Sequence, residues 1–117
     1  MPYIDGFVIP VPADRQQAFI DHANTVDAVF LELGATRVVE GWGDDVPAGQ
    51  HTDFARAVAA TGDEVVAFSW IEWPDKATRD AAFEQLRDDP RMRDMPMPFD
   101  GKRMIFGGFV PVVDLKV

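Results

Sequence analysis

Three carboxylates in this chain stand where strand alternation would set them beside aromatic rings. Asp5 is two residues from Phe7, Glu40 two from Trp42, and Glu72 two from Trp70; side chains two apart on a strand share a face. Burial against rings raises a carboxyl's pKa by penalising its charged form, which prepares a general acid or base for work near neutral pH. Asp5, Glu40 and Glu72 are therefore the candidate proton-transfer groups. Phe7, Trp42, Trp70 and Phe106 are the candidate walls of a small-molecule pocket between a sheet and its helices. The bland alternative leaves the carboxylates solvated at strand ends or paired with Arg37, Lys102 or Arg103, the commoner fate of such residues.

Other chemistries find little support. The two histidines, His22 and His51, lack the paired spacing of a metal site. His22 borders an apolar stripe, where a packing role competes with a catalytic one, and it stays a fourth candidate. Ser69 is the only serine and has no flanking glycines to make a nucleophile elbow. With no cysteine, thiolate nucleophiles, disulfides and cysteine-bound metals are excluded. Gly41-Trp42-Gly43 runs into two aspartates that would repel phosphate. No cofactor and no metal are expected. Gly6, Gly107 and Gly108 either open a hollow in a sheet or mark a bulge.

The net charge of −9 opposes a nucleic-acid partner, since that affinity comes from Lys and Arg set against phosphates. No apolar run approaches the roughly 20 residues of a membrane helix, and no basic segment leads into a hydrophobic stretch at the N-terminus. A cytoplasmic protein without membrane contact is expected. At 117 residues, one domain over residues 1–117 is the economical reading.

The elements that would position these groups follow from periodicity. Residues 3–11 are β-rich and stop at Pro12; Phe19, Ala23, Val26, Phe30 and Leu33 then recur at helical spacing, with Gly34 as the left-handed residue after the helix. Residues 35–43 return to strand character. The stretch 52–62 reads as a short helix capped by Thr52, or as a strand alternating Phe54, Arg56 and Val58, the helix being preferred. Glu64 to Trp73 is the clearest strand, Asp75 caps a helix to about Asp89, a Met- and Pro-rich loop covers Met92 to Pro98, and Arg103 to Val113 forms the last strand. The order β-α-β-β-α-β predicts an α+β, ferredoxin-like sandwich with an antiparallel sheet in the order 4-1-3-2.

In that sandwich both helices cover one face, yet the strands are apolar on two: Ile4 and Val8 oppose Phe7 and Ile9, and Phe68 and Trp70 oppose Ala67 and Ile71. An uncovered apolar face needs a partner, and a homodimer docked sheet to sheet supplies it. The competing possibility is that the loop 44–63 folds over that face.

Four strings carry a family resemblance: Tyr3-Ile4-Asp5-Gly6-Phe7-Val8, Phe68-Ser69-Trp70-Ile71-Glu72-Trp73-Pro74, Asp89-Pro90-Arg91-Met92, and Met97-Pro98-Phe99-Asp100-Gly101-Lys102-Arg103-Met104-Ile105-Phe106-Gly107-Gly108-Phe109. Together they make the chain similar to the YbaA-like family of uncharacterised bacterial proteins over nearly its whole length. The resemblance implies a dimeric α+β barrel and no particular activity or catalytic residue. Two functions stand side by side: a protein that binds or transforms a small molecule in a pocket between sheet and helices, or a non-catalytic dimeric interaction or stress-related protein.

Overall fold

In the computed structural model, which describes residues 1–117, the longest ladder joins strand β1 (Tyr3–Pro12) to strand β3 (Glu64–Trp73). It runs antiparallel from Tyr3 opposite Trp73 to Pro12 opposite Glu64. Strand β2 (Arg37–Trp42) pairs with the far side of β3, and strand β4 (Ile105–Phe109) with the far side of β1. The order β2-β3-β1-β4 is the expected 4-1-3-2 counted from the other edge. β4 reaches only Ile4 to Val8 of β1. Pro10 and Pro12 therefore lie beyond it, where β1 is itself an edge and a missing N–H breaks no ladder.

Helix α1 (Gln16–Glu32) follows β1 through a single 3-10 turn at Ala13–Arg15 and buries Phe19, Ala23 and Val29. It ends as the stripe predicts. Gly34 takes φ 114°, the Gly34 N–H donates to the Leu31 carbonyl and the Ala35 N–H to the Phe30 carbonyl, which satisfies carbonyls the helix end would otherwise strand. Helix α3 (Lys76–Arg87) starts at Asp75, whose carboxylate accepts the Thr78 N–H at 2.7 Å. It buries Ala82 and half-buries Phe83 and Leu86.

The register assigns each side chain its layer. Tyr3, Asp5, Phe7 and Ile9 stand opposite Trp73, Ile71, Ser69 and Ala67, and Val38, Glu40 and Trp42 opposite Ile71, Ser69 and Ala67. These form the face the helices cover. The core has two centres there, one around Tyr3, Ile71, Trp73 and Ala82 and one around Ile9, Val11, Phe19 and Ala67.

Several boundaries differ from the sequence reading. The 52–62 segment contains one helical turn, α2 (Phe54–Ala57), and its cap is Asp53 rather than Thr52. The Asp53 carboxylate accepts N–H groups from Arg56 at 2.7 Å and Gly49 at 3.1 Å, and so closes the loop as well as capping the turn. The last strand stops at Phe109 instead of Val113, since Pro111 cannot donate to a ladder. Part of the Met-rich loop is a short helix, α4 (Pro90–Arg93), in which Pro90 occupies the first turn, where an absent N–H costs nothing.

Candidate functional site

The predicted carboxylate trio does not converge. Asp5 and Glu40 point to the helix-covered face. Glu72 pairs with Ile4 and Arg37 in the register and lies on the opposite face with Trp70. There the Trp70 indole N–H donates to Glu72 at 2.8 Å, and Arg37 stands 3.7 Å from the same carboxylate. Strand alternation inverts the face at each residue, and Glu72 is an odd number of positions from Ser69, which faces Glu40.

Asp5 is 1% exposed and fully occupied. The Arg79 guanidinium reaches it through Nε at 3.0 Å and Nη2 at 2.8 Å, and the Trp73 indole N–H donates at 2.9 Å. Arg79 in turn lies over the Phe83 ring, 4.4 Å from its centroid. A bidentate pair with a third donor leaves Asp5 no free lone pair directed at a substrate. It is a buried anchor joining β1 to α3 and β3. The sequence signal for Arg79 is a cation at the i−3 and i−4 positions of Ala82 and Phe83 on the buried stripe of α3.

Glu40 has a different neighbour. Asp27 of α1, four residues beyond Ala23 on the same stripe, meets it across the helix–sheet interface, near enough for the two carboxyls to hydrogen-bond once one of them holds a proton. Burial raises Glu40 to about 8, helped by the Asp27 charge and by the proton the two share, while the Ser69 hydroxyl donates to Glu40 and pulls the other way. Burial likewise raises Asp27 to about 6, with the Glu40 hydrogen bond opposing it. Near neutral pH the pair therefore holds one proton between two carboxyls, the state reached when like charges cannot both ionise side by side. No cation is set against it, although Asp5, Asp53, Glu64, Asp80, Asp89 and Asp100 each have one.

The pair lies in the wall of a cavity of about 300 Å³ between α1, the sheet and the segment 92–104. Phe7, Phe19 and Phe99 supply its aromatic surface, and Met92, Met95, Met97 and Met104 supply flexible thioethers. His22 lines the same space. Its ring meets Phe99 edge-on at 5.7 Å, burial lowers its pKa against a partial offset from the Pro96 carbonyl, and its Nδ1 is buried without a partner. Arg93 stands exposed at the mouth. On the outer side, Asp27 and Glu40 also border an open groove between α1 and β2 lined by Trp42. No group of three or more His, Asp or Glu is placed to hold a metal ion.

Of the predicted pocket walls, Phe7 lines the cavity and Trp42 the adjoining groove. Trp70 lies on the other face of the sheet, and Phe106, stacked on Phe7 at 6.1 Å, is 65% exposed on the edge strand β4. Trp70 belongs to an open apolar surface, whereas Phe106 pairs with Phe7 on the helix-facing side and borders that surface only at the β4 edge. Ile4, Val8, Phe68, Trp70, Ile105 and Phe109 border a depression of about 540 Å³ that no helix covers. The single turn α2 reaches only its β2–β3 end, where Phe54 lies edge-on to Phe68 at 5.9 Å.

A family model described as "Protein of unknown function (DUF1428)" matches residues 2–101. The chain is 52% identical over 116 residues to the uncharacterized protein YbaA of Escherichia coli K12, covering 97% of this chain and 99% of that protein, and equally similar to YbaA of Shigella flexneri. Among solved structures it resembles a dimeric ferredoxin-like protein from an uncultured marine organism at a TM-score of 0.62 and 13% identity, covering 98% of this chain and 100% of that one. It also resembles Rv0793 of Mycobacterium tuberculosis at 0.53 and 12%, covering 99% and 100%. Both share the fold of the sandwich described above, and no helix here is long and apolar enough to cross a membrane. With a family model matching residues 2–101 and 52% identity over 116 residues to YbaA, the chain belongs to the DUF1428 family, whose function is unknown.

Proposed function

We propose that this protein is a homodimeric α+β barrel that binds a small, largely apolar molecule in the cavity between α1, the sheet and the 92–104 segment. The observation that carries the reading is the Asp27–Glu40 pair: two facing carboxyls without a cation, set in the wall of a largely apolar cavity, where burial raises both pKa values. An apolar space with a few converging polar groups is the usual form of a ligand site. Holding two acids there without a cation costs stability that packing alone would avoid. The shared proton lets the pair both donate and accept near neutral pH, which suits orienting a ligand's polar group or moving a proton to and from it.

Dimerisation is supported by the open face. Phe68 is 45%, Ile105 44% and Phe109 61% exposed in the single chain, a contiguous apolar surface that soluble monomers seldom leave bare. The similar marine protein is described as dimeric. A second copy docked sheet to sheet covers this face on both protomers at once. The absence of cysteine fits a reducing cytoplasm.

The test is a ligand-observed NMR screen of small aromatic and aliphatic probes against wild type and against Val26→Phe, which fills the cavity from its α1 wall. Probes that bind wild type and lose binding in Val26→Phe support the reading. A screen in which the filled variant binds the same probes equally well overturns it.

A further inference from the structure

The polar groups of the cavity have a common character. Asp27 of α1 and Glu40 of β2 carry carboxylate oxygens that accept, His22 on α1 adds a buried Nδ1 without a partner, and the Ser69 hydroxyl of β3 is already turned to Glu40. His22 is neutral near pH 7, because burial lowers its pKa against a partial offset from the Pro96 carbonyl. Its Nδ1 is buried with no partner, a cost the fold carries on its own. The one basic group at the mouth, Arg93 of α4, is exposed and screened by solvent.

A ligand matched to this arrangement must bring donors and positive charge. The faces of Phe7, Phe19 and Phe99 carry the negative side of the ring quadrupole, and the methionine sulfurs are soft and polarisable, so the apolar walls also favour a cation. An anion would meet the charge that the carboxyl pair retains.

We propose that the cavity takes a small hydrophobic organic cation, an ammonium or amidinium group on an aromatic or short aliphatic body, with the positive group seated on Asp27 and Glu40. This rests on the small-molecule reading above and names its ligand class. The cation replaces the proton shared by the two carboxyls, which leaves as a hydronium ion or to buffer; both carboxyls are then ionised, and no covalent bond changes. Binding is consequently linked to proton release and strengthens as pH rises from 6 to 8, the range over which the shared proton is held.

Calorimetry at pH 7 with benzylamine, benzyl alcohol and phenylacetate, paired with pH-stat titration in unbuffered salt, tests this on the intact protein. Benzylamine is expected to bind at least about tenfold more tightly than benzyl alcohol, the scale of a charge-assisted hydrogen bond against a neutral one, and to release close to one proton per site. Glu40→Gln, which keeps the shape of the site, should lose both the preference for benzylamine over benzyl alcohol and the proton release. If benzyl alcohol binds but benzylamine has no advantage, or phenylacetate binds best, the cation assignment fails and the cavity reading survives. If none of the three binds, both fail together.

Discussion

Replacing Glu40 by Gln should make the protein more stable at alkaline pH and leave it nearly unchanged in acid. In the folded chain Glu40 holds its proton up to about 8, whereas the unfolded chain releases it near 4.5. Between those values the folded state binds more protons, so stability falls as pH rises through the interval and levels off above it. Holding a carboxyl at about 8 instead of 4.5 nominally costs ~5 kcal/mol. Water reaches the pair from the outer groove and screens it, so we take less than half, about 2 kcal/mol. On a domain of this size that is roughly 8 °C in Tm. The assay is thermal and urea unfolding of wild type and Glu40→Gln at fixed protomer concentration, from pH 5 to 9. His22, whose pKa is lowered on folding, works in the opposite direction below about 6.5, but it is common to both proteins and cancels in their difference. The variant's advantage should grow from near zero at pH 5 to its full value by pH 8.5. Parallel profiles between pH 6.5 and 8.5 would refute the linkage.

Three further outcomes follow from the geometry. Arg79→Met strands the 1%-exposed Asp5 and should cost about 3–5 kcal/mol in urea unfolding, with Asp5→Asn in the same chain recovering part of it; simple addition of the two losses would deny the coupling. Ser69→Ala removes a donor that favours ionised Glu40, so the upper titration step of the pair should move further up, as read by carboxyl infrared bands; a downward move would contradict the assigned bond. Phe109→Asp places a charge on the open face and should convert a species of twice 13.0 kDa to one of 13.0 kDa in light scattering without loss of secondary structure. An unaltered mass would place the dimer contact elsewhere.

The sheet order, the Gly34 helix end and the Asp75 cap were all legible from periodicity and turn chemistry, because each depends on local backbone requirements that few residues meet. The facing of the strands was not. β3 alternates Phe68 and Trp70 with Ala67, Ser69 and Ile71, so neither face is polar, and nothing local says which one receives the helices. That ambiguity let Glu72 and Trp70 be grouped with residues on the other side of the sheet. Asp27 and Arg79 were hidden for a related reason: each sits on an apolar helical stripe, where reading for hydrophobic spacing passes over the polar exception. Such exceptions mark where a helix meets a charged partner across an interface. Asp27 led to the carboxyl pair, and Arg79 to the anchor that removes Asp5 from the catalytic candidates. Glu40, His22 and Phe7, candidates by residue type and spacing, line the cavity. The methionine walls come from a segment whose path depends on tertiary packing, since only Pro90 and the Asp89 cap give it local direction.

A single proton shared by Asp27 and Glu40 at neutral pH underlies both the proposed site and its pH dependence. Carbon-13 NMR of the protein labelled at Asp and Glu side-chain carboxyls, titrated from pH 3 to 10, addresses it directly. The predicted result is a Glu40 carboxyl that ionises around pH 8 and an Asp27 carboxyl around pH 6, each resonance also sensing the other's step. Two independent transitions below pH 5, as for solvated carboxylates, would contradict it.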